Sequence, residues 1–149
     1  MRKKLIISIS IIIFVVLISG LLAPRSNPPV ENKVVWDSVA TRDQFMKSCA
    51  DCHSHETKWP WYSYVGPTAF LVTNDVREAR EHFNISTPNM RHARDAAEEV
   101  RDGYMPPSDY LFMHDEARLQ GEIRNSFASG LEKTFGGKND RRNDEDEME

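Results

Sequence analysis

Cys49-Ala50-Asp51-Cys52-His53 is the stretch of this 149-residue chain that decides its fold. The two thiols are three residues apart, which lets both react with the two vinyl groups along one edge of a porphyrin. The imidazole that follows is placed to bind the iron from one side. The chain has no other cysteine. The C-x-x-C-H spacing therefore predicts one covalently attached haem c per chain, held by Cys49 and Cys52, with His53 as an axial ligand of the iron.

Two other interpretations of a C-x-x-C pair stay open at this point. A thioredoxin-like redox dithiol needs a strand followed by a helix, and no β-branched strand precedes Cys49. A zinc site needs two more ligands at defined spacing. His53 and His55 are nearby, but a closed site built from seven consecutive residues would be sterically tight. Neither alternative explains the histidine directly after Cys52.

The N-terminal 23 residues have the pattern of a membrane anchor. Three basic residues, Arg2 to Lys4, precede an apolar run of 18 residues from Leu5 to Leu22. The h-region of a cleaved signal peptide has about 7–15 residues, whereas a bilayer span needs about 17–25. The sequence Ala23-Pro24 makes a poor cleavage site. We therefore expect residues 1–23 to be an uncleaved signal anchor that spans the membrane as a helix, with its basic end in the cytoplasm.

The rest of the chain divides into three segments. Residues 24–33 are a proline-rich linker, which we expect to be extended and to hold the folded part away from the membrane. Residues 34–135 form a domain large enough for one small core. Residues 136–149 are a charged, mainly acidic tail without apolar anchors, which predicts disorder. The net charge of −4 includes the basic cap, and no basic stripe indicates a nucleic-acid partner.

Helical periodicity predominates in the domain. Ser38 or Asp37 caps a first helix that ends at the C-x-x-C-H motif, and apolar spacing predicts further helices over 68–83 and 120–135. Thr87-Pro88 has the pattern of a helix start, which predicts another helix from there to residue 102. The fold class is therefore all-α, a small helical domain around one covalent haem, preceded by the transmembrane helix.

Aromatic residues crowd the loop after the motif. Pro60 and Pro67 forbid a continuous helix there, and large flat side chains are what an apolar wall around a haem needs. We expect contacts with the haem from Trp59, Trp61 and Tyr62. The simpler interpretation is that these rings build the core of a small domain.

Met105 is the candidate for the second axial ligand. It lies in Gly103-Tyr104-Met105-Pro106-Pro107, where the two prolines forbid a helix and hold the thioether on a loop. A His/Met pair is a known ligand set for haem iron. The alternative is that Met105 fills a gap in the core. Rival ligands are His82, His92, Met113 and, best of them, His114.

The residues from Cys49 to Ser63 follow the pattern C-x-x-C-H-S-x-x-T-x-W-P-W-Y-S. This pattern resembles the signature of a small bacterial haem-binding domain family. The resemblance continues through the following residues: Gly103-Tyr104-Met105-Pro106-Pro107, Tyr110, His114, Ala117 and Leu119. It covers nearly all of the folded domain, and His55 falls where a small polar residue is usual. It implies a c-type haem and electron transfer.

A helix that leads into C-x-x-C-H and a methionine far downstream also resemble class I cytochromes c. That resemblance implies that the helices over 39–49 and 120–135 pack together. It also implies that a Gly-Pro carbonyl accepts the hydrogen bond of the axial histidine, which makes Pro67 the expected partner of His53, with Pro60 second.

Two functions are compatible with these features. The first is a monohaem c-type cytochrome of the bacterial inner membrane, whose domain faces the periplasm and transfers single electrons between redox proteins of the membrane or periplasm. On this hypothesis the protein is not an enzyme. The alternative is a haem enzyme or gas sensor, similar to a small peroxidase, with an open distal position beside an acid-base histidine such as His114.

Overall fold

The computed structural model describes residues 2–137, and those residues contain helices and no β-strand. The α-helices are α1 (Arg2–Leu21), α2 (Val39–Ser48), α3 (Ala50–His53), α4 (Gly66–His82), α5 (Ala96–Asp102), α6 (Ser108–Met113) and α7 (Gly121–Phe135). Short 3₁₀ helices cover Trp61–Tyr64, Ala93–Asp95 and Asp115–Ala117. The prediction of an all-α fold is confirmed. The part of the predicted tail after Gly137 lies outside the described residues.

Helix α1 is long and apolar enough to cross a membrane. Its side chains are exposed along almost the whole helix, because only its C-terminal end touches the domain. An exposed apolar helix at the N-terminus is expected for a membrane anchor and equally for a signal sequence.

Helix α2 begins as predicted, because the Ser38 hydroxyl accepts a hydrogen bond from Thr41 N at 3.1 Å. It packs against α7 at a very close approach. A Cβ added to Gly130 of α7 would lie 2.1 Å from Oγ1 of Thr41. The predicted pairing of these two helices is confirmed, and it needs glycine at the crossing point.

The hydrophobic core lies between α2, α5 and α7. Phe45 of α2 is fully buried, and its ring packs 5.0 Å from Trp36 and 6.3 Å from Phe83, centroid to centroid. Helices α5 and α7 add Val100, Phe127 and Leu131. The core therefore extends to Phe83, which directly follows α4 and stacks on His53 of the C-x-x-C-H motif.

Two local predictions were wrong. No helix begins at Thr87-Pro88, because the Thr87 hydroxyl closes a turn with Asn89 N, and helical structure starts only at Ala93. The linker has no regular secondary structure, and it lies along the domain instead of holding it away. Asn27 Nδ2 donates to Thr57 O at 2.9 Å, and the backbone N–H groups of Glu31 and Asn32 donate to Ser86 O.

Candidate functional site

The C-x-x-C-H motif forms one tight helical turn. The N–H groups of Cys52 and His53 both donate to Cys49 O, at 3.1 and 2.9 Å. Both cysteines are half-buried free thiols. Burial raises the pKa of the Cys49 thiol and raises that of Cys52 to about 12. A thiol that stays protonated at neutral pH is a poor nucleophile for dithiol exchange, which disfavours the thioredoxin-like interpretation.

His53 is buried and held in one orientation. Its Nδ1 lies 3.1 Å from Phe83 O, and its ring stacks on the Phe83 ring with centroids 4.1 Å apart and planes 13° from parallel. Burial lowers the pKa of His53. Hydrogen bonds to the carbonyl groups of Phe83 and Ala79 act in the opposite direction, because they favour the protonated ring. In the neutral ring, a proton on Nδ1 bonded to the carbonyl leaves the lone pair on Nε2. That is the tautomer an axial imidazole ligand needs.

The predicted partner of His53, Pro67, is therefore wrong, and so is Pro60. Gly66-Pro67 forms the first turn of α4, where Pro67 is exposed. The far end of the same helix returns to the motif, and the residue directly after it supplies Phe83 O. Spacing along the chain could not show which end of α4 would face His53.

The polar residues of the signature hold the motif and the loop after it together. The Ser54 hydroxyl donates to a carbonyl one turn back at 2.6 Å and accepts from Glu56 N. The Thr57 hydroxyl donates to Asp51 O at 2.7 Å, and the Asp51 carboxylate accepts from Lys58 N at 2.8 Å. Ser54 and Thr57 are buried, so each hydroxyl satisfies backbone groups that water does not reach.

Arg80 of α4 connects this loop to the linker. Its guanidinium donates to Ser54 O at 2.9 Å and to the Thr57 hydroxyl at 2.9 Å, and on the other side to Ser26 O and the Asn27 side chain. Sequence reasoning missed this residue. The available signal was its position four residues after Val76, on the inward side of α4.

Tyr62 and His114 belong to a hydrogen-bond network beside the motif. The Tyr62 hydroxyl lies 2.8 Å from His114 Nε2, and His114 Nδ1 lies 3.1 Å from a Glu116 carboxylate oxygen. The ring of Tyr110 stacks on His114, and its hydroxyl donates to Asp51 at 3.0 Å. Since both ring nitrogens of His114 are occupied, this residue is a poor rival for the iron.

Met105 lies on the loop after α5 and is 36% exposed. The backbone N–H groups of Met105 and Tyr104 both donate to Glu99 O. The next residue, Pro106, is buried. Met105 is not among the partly buried side chains that pack against the core, which include Met46 and Met90, and this disfavours the gap-filling interpretation. Its role as an axial ligand stays a prediction.

The remaining candidates are placed as follows. His82 and His92 face each other near the surface, with ring centroids 4.8 Å apart. Trp59 is half-buried, and Trp61 is 71% exposed with its ring edge against Tyr62. Contacts of Trp59, Trp61 and Tyr62 with a haem stay predictions. Among residues 2–137, no three His, Cys, Asp or Glu side chains are grouped to hold a metal ion.

These observations define a helical domain with a motif for haem attachment. The model of a haem-binding domain family matches residues 13–133, and the chain belongs to that family. The domain therefore binds haem. No curated protein matches the chain, and no solved structure does.

The residues present fit a haem attached through two thioethers. Two thiols on one helical turn are unpaired with each other, and the neighbouring imidazole is neutral, buried and oriented by a carbonyl. This is the donor set that the C-x-x-C-H motif supplies.

Proposed function

We propose that this chain is a membrane-anchored monohaem c-type cytochrome that transfers single electrons in the periplasm. The observation that carries the proposal is the orientation of His53. His53 directly follows the second cysteine of the motif, and its Nδ1 is held by Phe83 O. The lone pair on Nε2 is therefore available to a metal ion. The pairing of α2 with α7 supports a cytochrome c-like arrangement.

Each residue has a stated role in this proposal. Cys49 and Cys52 would hold the haem through two thioether bonds, and His53 and Met105 would be the ligands of its iron. Trp59 and Tyr62 contribute to the apolar wall. When bound, the haem supplies one-electron redox chemistry, and the protein supplies ligands, burial and orientation.

The location follows from the same features. Residues 1–23 anchor the chain in the bacterial inner membrane, and the basic cap keeps the N-terminus in the cytoplasm. The domain is then exported to the periplasm, where haem is joined to C-x-x-C-H motifs. The partners are redox proteins of the membrane or periplasm.

The ligand set can be tested by visible spectroscopy of the full chain, made together with the cytochrome c maturation machinery. We expect a six-coordinate low-spin iron that does not bind carbon monoxide. Met105→Ala should convert the iron to a form that binds it. Met113→Ala is the matched control, since Met113 is similarly exposed, and it should leave the spectrum unchanged. An unchanged spectrum in Met105→Ala would show that Met105 is not the ligand.

The second candidate function is a peroxidase-like enzyme or gas sensor with an open distal site. The specific observation in its favour is the hydrogen-bonded chain Tyr62–His114–Glu116, because a histidine oriented by a carboxylate is a common acid-base arrangement. Carbon monoxide binding by the reduced, unsubstituted protein would favour this function. Peroxide turnover that is lost in His114→Gln would assign the acid-base role to His114.

A further inference from the structure

Helix α1 is in backbone contact with the haem domain. A Cβ added to Gly20 would lie 2.2 Å from Tyr64 O and 2.9 Å from Gly66 N. A Cβ added to Gly66 would lie 2.7 Å from a methyl group of Val16. The last turns of α1 therefore pack directly on the 3₁₀ helix Trp61–Tyr64 and on the start of α4, with no space for a side chain between them.

Arg25 fixes this contact from the side. Its guanidinium donates to Gly20 O at 2.9 Å and to Ser63 O at 2.6 Å, and it lies 4.1 Å above the centre of the Tyr64 ring. One side chain thus joins the end of α1 to the domain by two hydrogen bonds and a cation–π contact. A domain connected to α1 in this way has one orientation relative to that helix, unlike a domain on a flexible linker.

The depth of the contact follows from helix geometry. Val16 is six residues before Leu22, the end of the apolar run, which is about 9 Å at a rise of about 1.5 Å per residue. A bilayer that covers the apolar run of α1 therefore reaches the part of the domain in contact with Val16. Tyr64, which contacts Gly20 only two residues before Leu22, lies nearer the end of the apolar run and therefore next to the lipid headgroups.

Exposed apolar side chains are present on the same two elements. We define the interface patch as Trp61, Tyr64, Phe70 and Leu71, which are 71%, 45%, 45% and 63% exposed. Trp61 and Tyr64 share one side of their 3₁₀ helix, because side chains three residues apart eclipse there. Tryptophan and tyrosine are the residues that favour the membrane–water interface.

We propose that the interface patch is seated in the headgroup layer of the bilayer that α1 spans, so that the haem domain has one fixed orientation on the membrane. The inference rests on the proposed anchoring by α1. It assigns Trp61 to lipid instead of to the haem. Lipid is the occupant because the patch adjoins a helix that lipid itself surrounds, so the headgroup layer reaches the patch without any further partner.

The test uses the full haem-loaded chain in phosphatidylcholine vesicles, with a nitroxide spin label at Leu71→Cys. The matched control is Phe112→Cys, an exposed apolar position on α6. The unsubstituted chain is the labelling blank. Collisions with oxygen, which enriches in lipid, are compared with those of a water-soluble nickel chelate. We expect an oxygen-to-nickel ratio several-fold higher at position 71 than at position 112.

A second variant separates docking from anchoring. Gly20→Leu keeps α1 apolar but places a side chain against Tyr64 O. It should leave the chain in the vesicles and lower the ratio at position 71 to the control value, whereas Ser10→Leu should not. Vesicle-bound protein with equal ratios at positions 71 and 112 would overturn the inference alone. Protein that does not sediment with vesicles would overturn the anchoring as well. Dipolar broadening between labels at position 71 would assign the patch to a second copy of the chain and overturn the inference.

Discussion

Side chains beside the motif are held by paired hydrogen bonds whose donors can be assigned. Burial raises the pKa of Tyr62, so its hydroxyl stays protonated at neutral pH and can donate to His114 Nε2. Hydrogen bonds, including one from His114, lower the pKa of Glu116, so its carboxylate accepts from His114 Nδ1. The ring of His114 therefore lies between a hydrogen-bond donor at Nε2 and a hydrogen-bond acceptor at Nδ1, which suits a positioning role better than metal binding.

Tyr62→Phe should destabilise the protein by about 0.5–1.5 kcal/mol, because it leaves His114 Nε2 without its partner in a half-buried site. The loss is measured by urea unfolding of the haem-loaded protein. Tyr104→Phe is the control, since the Tyr104 ring is 68% exposed, and it should change the stability by less than about 0.5 kcal/mol. Equal effects of the two substitutions would contradict the assigned hydrogen bond.

At the scale of elements, two contacts determine how the helices meet around the motif. The first is the crossing of α2 and α7, where Gly130 faces the buried Thr41. The second is Arg80, which joins α4 to the linker and to the loop after His53. Each of them can be tested by a substitution with a control in the same helix.

Gly130→Ala should destabilise the protein by about 1–3 kcal/mol, because the added methyl group would force α2 and α7 apart. Helix propensity alone predicts the opposite sign, a gain of about 0.5–1 kcal/mol. Ser129→Ala, at an exposed position of the same helix, is the control. Thr41→Ala should partly rescue Gly130→Ala in a double-mutant cycle of urea unfolding. A stabilising effect of Gly130→Ala would show that the helices are not in close contact.

Arg80→Met should cost about 1–2 kcal/mol, a value at the lower end for charged hydrogen bonds because Arg80 is partly exposed. Arg77 lies one turn before Arg80 in the same helix. Arg77→Met removes only an exposed ion pair with Glu81 and should cost less than about 0.5 kcal/mol. Thermal unfolding of the two variants makes the comparison. The role assigned to Arg80 would be wrong if both variants melted together with the unsubstituted chain.

At the scale of the whole molecule, local patterns predicted the helices but not the way in which distant segments meet. The spacing of apolar residues predicted α4 and α7 within two residues, because a helix face is a local property. The partner of His53 is 30 residues away in sequence and depends on which end of α4 packs on α3. No residue pattern encodes that choice, so the Gly-Pro analogy led to Pro67.

The linker shows the same limit. Its prolines predict a segment without helix, which the structure has, but composition does not show what such a segment contacts. Hydrogen bonds to Thr57, Ser86 and Arg80 place it on the domain surface. The candidate site was partly predictable for a related reason: Cys49, Cys52 and His53 lie within five consecutive residues of one helical turn, whereas Met105 lies on a distant loop.

The most direct test of the central claim is a haem-peroxidase stain of the mature chain on a denaturing gel. The account predicts a stained band at the mass of the full chain, because two thioether bonds survive denaturation. The variant in which both Cys49 and Cys52 are changed to Ser should give the same protein band without stain. An unstained band from the unsubstituted, exported chain would contradict covalent attachment and with it the proposed cytochrome.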